Sequence, residues 1–523
     1  MSWLQERRQV VAEREAAEAY AMTGGAISGG RFFEGASVGR RFIGMSAPRS
    51  GPNTPILASG DLLTDRSFHF ARNEAFIRRG LNALSAGIIG NGVIPQSELD
   101  DMPELQEAIH ELWDATMNEV DADGMTDGYG LMVLGCRGVL TGGDSFPRFR
   151  PRLAADRAPY MPVPFAVPLQ IQMHGAEMVP RWKNEDLGKR GRIIGGIEVG
   201  PFGNRVAVHM YRDHPSDWAV PGAASGELVR VPAEEVMHIH EISREGQLRG
   251  EPRCASILLP THDFHQGEDV LQKQWNLGAL FSGFIEYSGE LPLLNEGDQT
   301  KAQQGVMPVT MHPGDVMALK PGQKFSRLAP PEVGVTYEPA TRLRLRRMAA
   351  GLGVPYEILA MDMAAVTYSS ARIGLLEFWA ECDQFLWQTI IPQFLRPFWI
   401  RWLDVAIMAG KLPLTRTAYL ANPRKYLDAV TWIPPKRPWI DPLKDVQGEL
   451  LAIKGGLISR DESILSRGGI PARVDRARRR SMLRAHSLEL TDGEAPAAVI
   501  PVPDEPPQPQ PQPAPAPRDR KAA

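Results

Sequence analysis

The chain has 523 residues, of which 43% are hydrophobic, and a formal net charge of −4. One hydrophobic core seldom spans this length, so we expect roughly two to four packed regions. The slightly negative charge excludes a protein that coats nucleic acid through an overall basic surface, although a local basic stripe remains compatible with it.

The cysteine content and the hydropathy of the chain indicate where the protein is made and assembled. Cys136, Cys254 and Cys382 are odd in number and far apart, which argues against a disulfide framework or a zinc knuckle and favours a reducing, intracellular place of assembly. The first residues, MSWLQERRQVVAEREAAEAYA, form a charged helical pattern and not an apolar signal sequence. No run of about eighteen apolar residues occurs, so we predict a protein that is neither secreted nor membrane-spanning.

The N-terminal third begins with a short helix and an extended arm. Residues 22–60 are rich in Gly, Ser and Pro, and an arm of this length is expected to lie on a neighbouring subunit. A helical pattern then begins at Asp61 and stops at Gly90, and a second helix is expected from about Met102 to Val120. The first pattern places four apolar residues at helical spacing: Phe76, Leu81, Leu84 and Ile88.

Residues 145–250 change character. Alternating runs such as LQIQM, RIIGGIEV, NRVAVHMY and EVMHIHEI predict strands in this part, whereas the preceding LMVLGCRGVL fits either a strand or a helix. A helical signal returns after Gly250, and GDVMALKPGQKF predicts one more strand.

The segment 346–372 predicts a helix, a hinge and a capped helix. An Ala- and Met-rich helix runs into Gly351 and Gly353, which permit the backbone conformation that ends a helix, and Pro355 blocks its continuation. Tyr368, Ser369 and Ser370 open a long helix whose first amides the serine hydroxyls are expected to cap.

The remaining chain predicts that long aromatic helix to about Gly410, two short helices divided by Gly455 and Gly456, and a basic run, RVDRARRRSMLRAH. The Pro-rich end of the chain predicts disorder. The aromatic helix is interrupted by charged residues, which favours a core or subunit interface over a membrane surface.

No residue pattern predicts catalysis. A nucleotide site would need a phosphate-binding GxxxxGK[ST] loop, which is missing, and Ser369 and Ser370 lack both a GxSxG elbow and an SxxK partner. Asp121 to Gly124 resembles part of a calcium loop but fails its spacing, so we interpret it as a turn.

His238 and His240 are the one candidate metal pair. They share a face of the predicted strand, but Glu241 and Glu245 do not supply a third ligand at usable spacing. We therefore predict no metal and no cofactor.

Four arginines, Arg342, Arg344, Arg346 and Arg347, precede the hinge. Arg342 and Arg346 lie one helical turn apart and are candidate contacts to DNA phosphates, although a solvated or ion-paired helix face is favoured over DNA contact.

Five ordered segments resemble a known family. GLGVPYEILAMDMAAVTYSSAR, which contains Tyr356 and Arg372, resembles the signature of the lambda-type phage portal proteins, with Thr367 in place of the usual Asn. The other segments are EGASVGRRFIGMSAPRSGPN, RNEAFIRRGLNALSAGIIGNG, EVMHIHEISREGQLRGEP and WIDPLKDVQGELLAIKGGLISRDESILSRGG.

The resemblance implies an α+β, mainly helical portal-protein fold of crown, wing, stem and clip, with a β-rich middle region. It implies a dodecameric ring at one capsid vertex, assembled in the host bacterial cytoplasm, through which double-stranded DNA enters and leaves. Implied partners are the terminase large subunit, the major capsid or scaffold protein and head-completion proteins. The alternatives are another ring-forming head-tail connector or, from a different class, a metal-dependent hydrolase using His238 and His240.

Carried over in the order of the elements, the resemblance implies eight regions. These are the N-terminal helix and arm (1–60), a helical wing region (61–164), a β-rich wing and clip region (165–250), a stem helix (251–290), wing strands and turns (291–345), the hinge and long aromatic helix (346–410), a C-terminal helical crown (411–490) and a disordered Pro-rich tail (491–523).

Overall fold

The computed structural model describes residues 49–99, 101–152, 156, 165–217, 226–280, 284–287, 323–326, 337–364, 367–438 and 442–487. The predictions for the N-terminal helix, for most of the arm and for the Pro-rich tail lie outside these residues. So does the first part of the strand predicted in GDVMALKPGQKF.

Two helices replace the single helix predicted from Asp61. Helix α1 (Asn53–Asn73) and helix α2 (Ala75–Ile88) are separated at Glu74, whose backbone is extended and whose carboxylate accepts the amide of Ile77 at 2.6 Å. This acceptor satisfies one of the otherwise unpaired first amides of α2 and so fixes where the second helix begins. Helix α2 buries Leu81, Leu84 and Ile88 as predicted, with Ile77 in the core beside them.

The next two elements are also helical. Helix α3 (Pro103–Met117) buries one face against the core, and helix α4 (Gly128–Gly142) shows that the ambiguous LMVLGCRGVL segment is helical. Between them the carboxylate of Asp121 accepts the amides of Met125 and Thr126, which confirms the predicted turn. Short strand β1 (Ile94–Ser97) lies between α2 and α3.

The β-rich region is an antiparallel arrangement of short strands. Strands β2 (Asp144–Ser145), β3 (Arg148–Pro151) and β4 (Leu169–Gln172) come first, and β3 pairs with β4. A five-stranded sheet then follows in chain order. Its strands are β5 (Glu185–Asp186), β6 (Arg192–Ile194), β7 (Ile197–Val199), β8 (Arg205–Tyr211) and β9 (Leu228–Pro232).

The β6–β7 hairpin turns at Gly195 and Gly196, whose φ angles are +55° and +79°. Positive φ at both central residues is what a two-residue hairpin turn of type I′ requires, and glycine adopts it at no steric cost. After this sheet, strand β10 (Ile239–His240) pairs with β2 and returns the chain to the helical part.

The second half is mainly helical. Helix α5 (Leu258–Leu280) is followed by a strand pair, β11 (Phe284–Tyr287) and β12 (Gln323–Ser326), and then by helix α6 (Tyr337–Leu352) and helix α7 (Tyr356–Ala360). Helix α6 therefore begins nine residues before the predicted segment does.

The predicted aromatic helix is continuous but not uniform. Helix α8 (Tyr368–Phe385) passes into a π-helical segment, Leu386–Leu395, and then into helix α9 (Arg396–Met408). The π-helical segment contains Pro392, which lacks an amide hydrogen and disturbs the normal ladder of helical hydrogen bonds.

Most of the aromatic side chains of this helix are in the core, which confirms the core interpretation. Trp399 and Trp402 pack against Trp113 of α3, with ring centroids 5.8 Å and 5.1 Å away, and the Trp402 indole donates to Thr116 at 3.0 Å. Trp387 is the exception, at 48% exposure. Within the described residues, no helix has both the length and the apolar character needed to cross a bilayer.

The C-terminal part returns to the N-terminal part. Helices α10 (Arg416–Ala421) and α11 (Pro423–Leu427) lead to strand β13 (Val430–Ile433), which pairs with β1. Three exposed helices complete the described chain: α12 (Pro442–Lys454), α13 (Arg460–Ser466) and α14 (Pro471–Ser487).

Two apolar cores result. The larger is built mainly from α2, α3, α4 and the α8–α9 helix, and the smaller lies under the five-stranded sheet. The predicted α+β class, mainly helical with a β-rich middle region, is confirmed. The division into crown, wing, stem and clip stays a prediction. Cys136, Cys254 and Cys382 are buried and free.

Candidate functional sites: the glycine hinge and the buried aspartate cluster

The two hinge glycines have different roles. Helix α6 ends at Leu352, and Gly353 has φ +76°, so this residue makes the predicted left-handed turn. Gly351 is still helical, and an added Cβ there would lie 2.2 Å from the Ile257 side chain, so its role is close packing and not helix termination. Pro355 then precedes the first residue of α7, Tyr356.

The Arg253 side chain makes three contacts around the hinge at Gly353. Its Nε donates to the carbonyl of Leu352 at 3.2 Å, where the unpaired carbonyls of a helix C-terminus favour a cation. Its two terminal nitrogens pair with Glu241 at 2.9 Å and with Glu381 of α8 at 2.6 Å. Helices α6 and α8, which precede and follow the hinge segment, are therefore joined through one guanidinium.

The cap of α8 differs from the prediction. Thr367 is the N-cap, and its hydroxyl accepts the amide of Ser370 at 3.3 Å, while the Ser370 hydroxyl accepts the amide of Thr367 at 3.1 Å. This reciprocal pair is a capping box. Ser370 therefore takes part in the cap as predicted, but its hydroxyl accepts the amide of Thr367, and the acceptor for the first amides of the helix is Thr367. The side chains of Tyr368 and Ser369 lie outside the described part.

The two candidate DNA-contacting arginines have partners on their own chain. Arg342 pairs with Glu338 at 2.9 Å and with Asp362 at 3.3 Å. The Arg346 guanidinium lies 5.3 Å from the centre of the Tyr356 ring, and the Tyr356 hydroxyl donates to Asp362 at 2.8 Å. These contacts fix α7 against α6, and the contact of either arginine with DNA stays a prediction. Arg372, the last residue of the signature, lies 3.6 Å from Asp445.

His238 and His240 form a buried cluster with a third residue, Asp144, that was missing from the sequence-based prediction. The two imidazole rings stack at 4.4 Å, and Phe146 stacks on the other side of His238 at the same separation. The His238 Nε2 donates to Asp144 Oδ1 at 2.8 Å. All three side chains are almost fully buried, and their ligand-type atoms lie within 4.8 Å of one another.

The Asp144 carboxylate is occupied by donors of this chain. Besides His238, Oδ1 accepts the amide of Gly250 at 2.8 Å. The other oxygen accepts Arg249 Nε at 3.0 Å and Arg181 Nη2 at 3.2 Å. Four hydrogen bonds use all the acceptor directions that a carboxylate offers.

Burial and charge set the ionisation of this cluster. Burial alone raises the pKa of the Asp144 carboxyl, but the charge of Arg249, together with His238, outweighs it and holds that pKa far below its usual range. Burial lowers the pKa of His240 to about 4, against an opposing effect of Asp144, and it lowers that of His238 as well. At neutral pH the cluster is an aspartate with two guanidinium groups and two neutral imidazoles.

These contacts do not suit a metal ion. A cation at this position would need a lone pair of Asp144, but each is already directed at a hydrogen-bond donor, and it would lie beside the charges of Arg181 and Arg249. One carboxylate and two imidazoles are groups that zinc binds, but the two adjacent guanidinium groups would repel the ion. That His238 and His240 form no metal site stays a prediction, and the occupied lone pairs of Asp144 favour it.

Asp144 and Arg253 were absent from the sequence-based interpretation for a common reason. Asp144 lies 94 residues before His238, and Arg253 lies 128 residues before Glu381. No spacing rule joins such partners. A local signal existed only for Asp144, since a charged residue beside the helix-ending Gly143 at the start of a buried strand is unusual.

Comparison with known proteins gives a family. A family model described as phage portal protein, lambda family, matches residues 38–385. Portal protein B of Escherichia phage lambda is 29% identical over 300 residues, covering 52% of this chain and 55% of that protein. A probable portal protein of Halomonas phage phiHAP-1 is 25% identical over 300 residues, covering 56% and 55%. The chain thus spans about half the length of the curated relatives it matches.

Solved structures give weaker likenesses. A chain from the neck of a native GTA particle is 14% identical with a TM-score of 0.38, covering 82% of this chain and 96% of that one. A chain from the neck of an empty GTA particle is 16% identical with a TM-score of 0.39, covering 83% and 100%.

Replacement of Gly353 by Val is expected to damage folding and assembly more than replacement of Ser370 by Ala. The added Cβ would lie 2.7 Å from Arg253 Nη2 and Glu381 Oε1, at a φ that β-branched residues avoid, so G353V should lose about 2 kcal/mol or more. S370A removes one side of an exposed capping box and should lose about 1 kcal/mol or less. Urea unfolding and the yield of assembled protein measure both, and equal losses would contradict this view of the hinge.

Replacement of Asp144 by Asn is expected to lower the free energy of unfolding by about 3 to 5 kcal/mol, because it leaves two buried guanidinium groups without a counter-charge. The matched control is Asp65→Asn on the exposed face of α1, which should change it by less than about 0.5 kcal/mol. Urea denaturation of both variants compares them. A D144N protein as stable as the control would show that the carboxylate does not anchor the cluster.

Stability is expected to fall as pH drops from about 7 to 5, partly through His240. Its pKa is about 4 in the folded chain and about 6.5 when unfolded, so between these values the unfolded chain binds more protons. This one group should cost about 2 kcal/mol at pH 5. In His240→Gln the difference in unfolding free energy between the two pH values should be smaller by about that amount, and identical pH dependence in both proteins would refute the assignment.

Proposed function

Because the chain belongs to the lambda family of phage portal proteins, we propose that it forms a ring-shaped channel at one vertex of a phage capsid. Double-stranded DNA would enter through this channel during packaging and leave through it during ejection. The observation that carries the proposal is the family match over residues 38–385, which includes the whole glycine hinge and the cap of α8. The proposed ring is a dodecamer.

The surface of a single chain supports assembly. Met361 and Met363, which follow α7, are 60% and 57% exposed, and Ile373 and Leu376 on one face of α8 are 69% and 50% exposed. Side chains three residues apart on a helix are neighbours, so α8 presents an apolar strip. A closed ring would bury such a strip against the next subunit, because every subunit then meets an identical neighbour.

We propose no catalytic role. The lambda portal family is a structural family, and the chain lacks a phosphate-binding loop. The buried cluster around Asp144 favours the same view, since the lone pairs of Asp144 are already used and both imidazoles are enclosed. A metal-dependent hydrolase using His238 and His240 is therefore disfavoured.

The proposed partners follow from the same role. The ring would bind the terminase large subunit during packaging, the major capsid or scaffold protein during head assembly, and head-completion proteins afterwards. We place assembly in the host bacterial cytoplasm and the finished ring in the virion. The α5 helix is the proposed stem, the residues from α10 to α14 are the proposed crown, and the sheet region contributes to wing and clip.

Electron microscopy and native mass measurement of the purified full chain test the ring. We expect closed rings of twelve subunits with a central channel, since identical subunits with a repeated interface close by rotation. The matched pair is Ile373→Asp, which should lower the yield of rings by disturbing the apolar strip, and Asp65→Asn as the control. A stable monomer at high concentration and at every salt concentration would contradict the proposal.

A further inference from the structure

The last described helix, α14, carries a charge unlike the rest of the chain. It contains six arginines and one aspartate in seventeen residues, whereas the whole chain has a formal net charge of −4. Its arginines are Arg473, Arg476, Arg478, Arg479, Arg480 and Arg484. From Arg476 to Arg484 every side chain is exposed, so the helix contributes almost nothing to either core.

Two of these arginines attach the helix to the chain. Arg473 pairs with Asp114 and Arg476 pairs with Glu107, both on α3. The aspartate of the helix, Asp475, pairs with Arg460 of α13 at 2.6 Å. The acidic groups near the start of α14 are therefore used to fix its position.

The following three arginines have no such partners. Arg478, Arg479 and Arg480 form no ion pair within the described part of the chain, and no acidic residue follows Asp475 in this helix. Three consecutive helical residues are spread over about 200° of the circumference, so their guanidinium groups face outward over more than half of it. Arg479 and Arg480 also line an open groove between α14 and α3 that contains His110.

Four arginines and two carboxylates, those of Glu111 and Asp114, line this groove, so positive charge predominates there and His110 adds none. Burial and the charge of Arg473 lower the pKa of His110, so the ring is neutral at pH 7, and its Nε2 accepts the amide of Ser97 at 3.0 Å. Arg480 and Arg484 are spaced by four residues, and like charges at that spacing repel one another along a helix, whereas the charge of Arg476 is already offset by Glu107. A polyanion bound along this face would relieve that repulsion.

We infer that α14 binds the phosphate backbone of double-stranded DNA, an inference that rests on the proposed role in packaging. The arginine-rich stretch from Arg473 to Arg484 is about 16 Å long, which corresponds to about five base pairs of duplex. Guanidinium groups suit phosphates because they donate two parallel hydrogen bonds. The arginines are distributed around an exposed helix. Such a distribution fits DNA, whose charges are continuous and evenly spaced, better than it fits a single patch of carboxylates on a protein. In a ring the helix would be repeated and its weak contacts would add.

Binding of a labelled random-sequence duplex of about 30 base pairs to the purified full chain tests the inference. The variant is Arg478→Gln, Arg479→Gln and Arg480→Gln together, which keeps good helix formers. The matched control is Lys189→Gln, Arg190→Gln and Arg192→Gln, three exposed cations at the start of β6 and just before it, with the same change of charge. Circular dichroism and particle mass establish that each protein is folded and assembled as the wild type is.

We expect the α14 variant to bind the duplex at least about tenfold more weakly at low salt, and the control to bind it as the wild type does. The slope of log affinity against log salt should become shallower by about 2 to 3, since each lost phosphate contact removes about 0.9. Equal affinities of the variant and the wild type would overturn the inference. Arginine-dependent binding of labelled polyglutamate without binding of the duplex would also overturn it and indicate an acidic protein partner.

The result of the DNA-binding experiment can be distinguished from the result of the ring experiment. Closed rings that bind no duplex would refute the role of α14 and leave the proposed channel in place. Duplex binding that depends on the three arginines in a chain that never forms rings would support the α14 contact and refute the channel.

Discussion

The carboxylate of Asp144 is the contact on which the arrangement of the two cores depends. Arg249, which bonds to it, also donates to the carbonyls of Ala176, Val179 and Gly195, so one guanidinium connects the end of the helical region to the β6–β7 hairpin. Arg181 extends the connection to Asp61 of α1. Apolar contact is non-directional and holds surfaces together without fixing their rotation, whereas these hydrogen bonds have defined directions. The cluster therefore sets how the sheet is oriented on the helices.

Arg253 likewise fixes the relative orientation of elements at the hinge, but with fewer hydrogen bonds. The turn at Gly353 removes the helical hydrogen bonds that would otherwise define the angle between α6 and the next elements. Arg253 replaces them with bonds to Leu352, Glu241 and Glu381. These ion pairs are partly exposed and screened by salt, so they are weaker than the contacts around Asp144. The hinge is thus braced by groups that separate more easily than those that join the two cores.

The hydrophobic patterns of the sequence predicted much of the secondary structure but few of the hydrogen bonds and ion pairs made by side chains. Helical periodicity identified α2 and α3, and period-two alternation identified β4 and β8, because each pattern reports which face of an element is buried. The boundary at Glu74 and the capping box at Thr367 depend on one side chain meeting one amide, which a hydrophobic pattern does not encode. Tertiary contacts decided the LMVLGCRGVL segment, where a short apolar run fits either class.

In the candidate sites, too, the local features were predictable from the sequence and the contacts between distant residues were not. Gly353 was predictable because a glycine before Val-Pro at the end of a helical pattern indicates a left-handed turn. The histidine pair was predictable from strand periodicity, but its meaning was not, since that depends on Asp144, Arg181 and Arg249 from distant parts of the chain. The arginine run of α14 is visible in the sequence, whereas only the structure shows that Arg473 and Arg476 are already in ion pairs.

The pairing of β1 with β13 has a consequence for synthesis on the ribosome. Ile94 pairs with Ile433, and Trp113 packs on Trp399 and Trp402, so the early helices meet their partners only after some 300 further residues have been made. At about 5 to 20 residues per second, this takes on the order of tens of seconds. During that interval an apolar face of α3 has no cover from its own chain. The nascent protein is consequently exposed to aggregation until its last third emerges, and a complete subunit exists only at the end of translation.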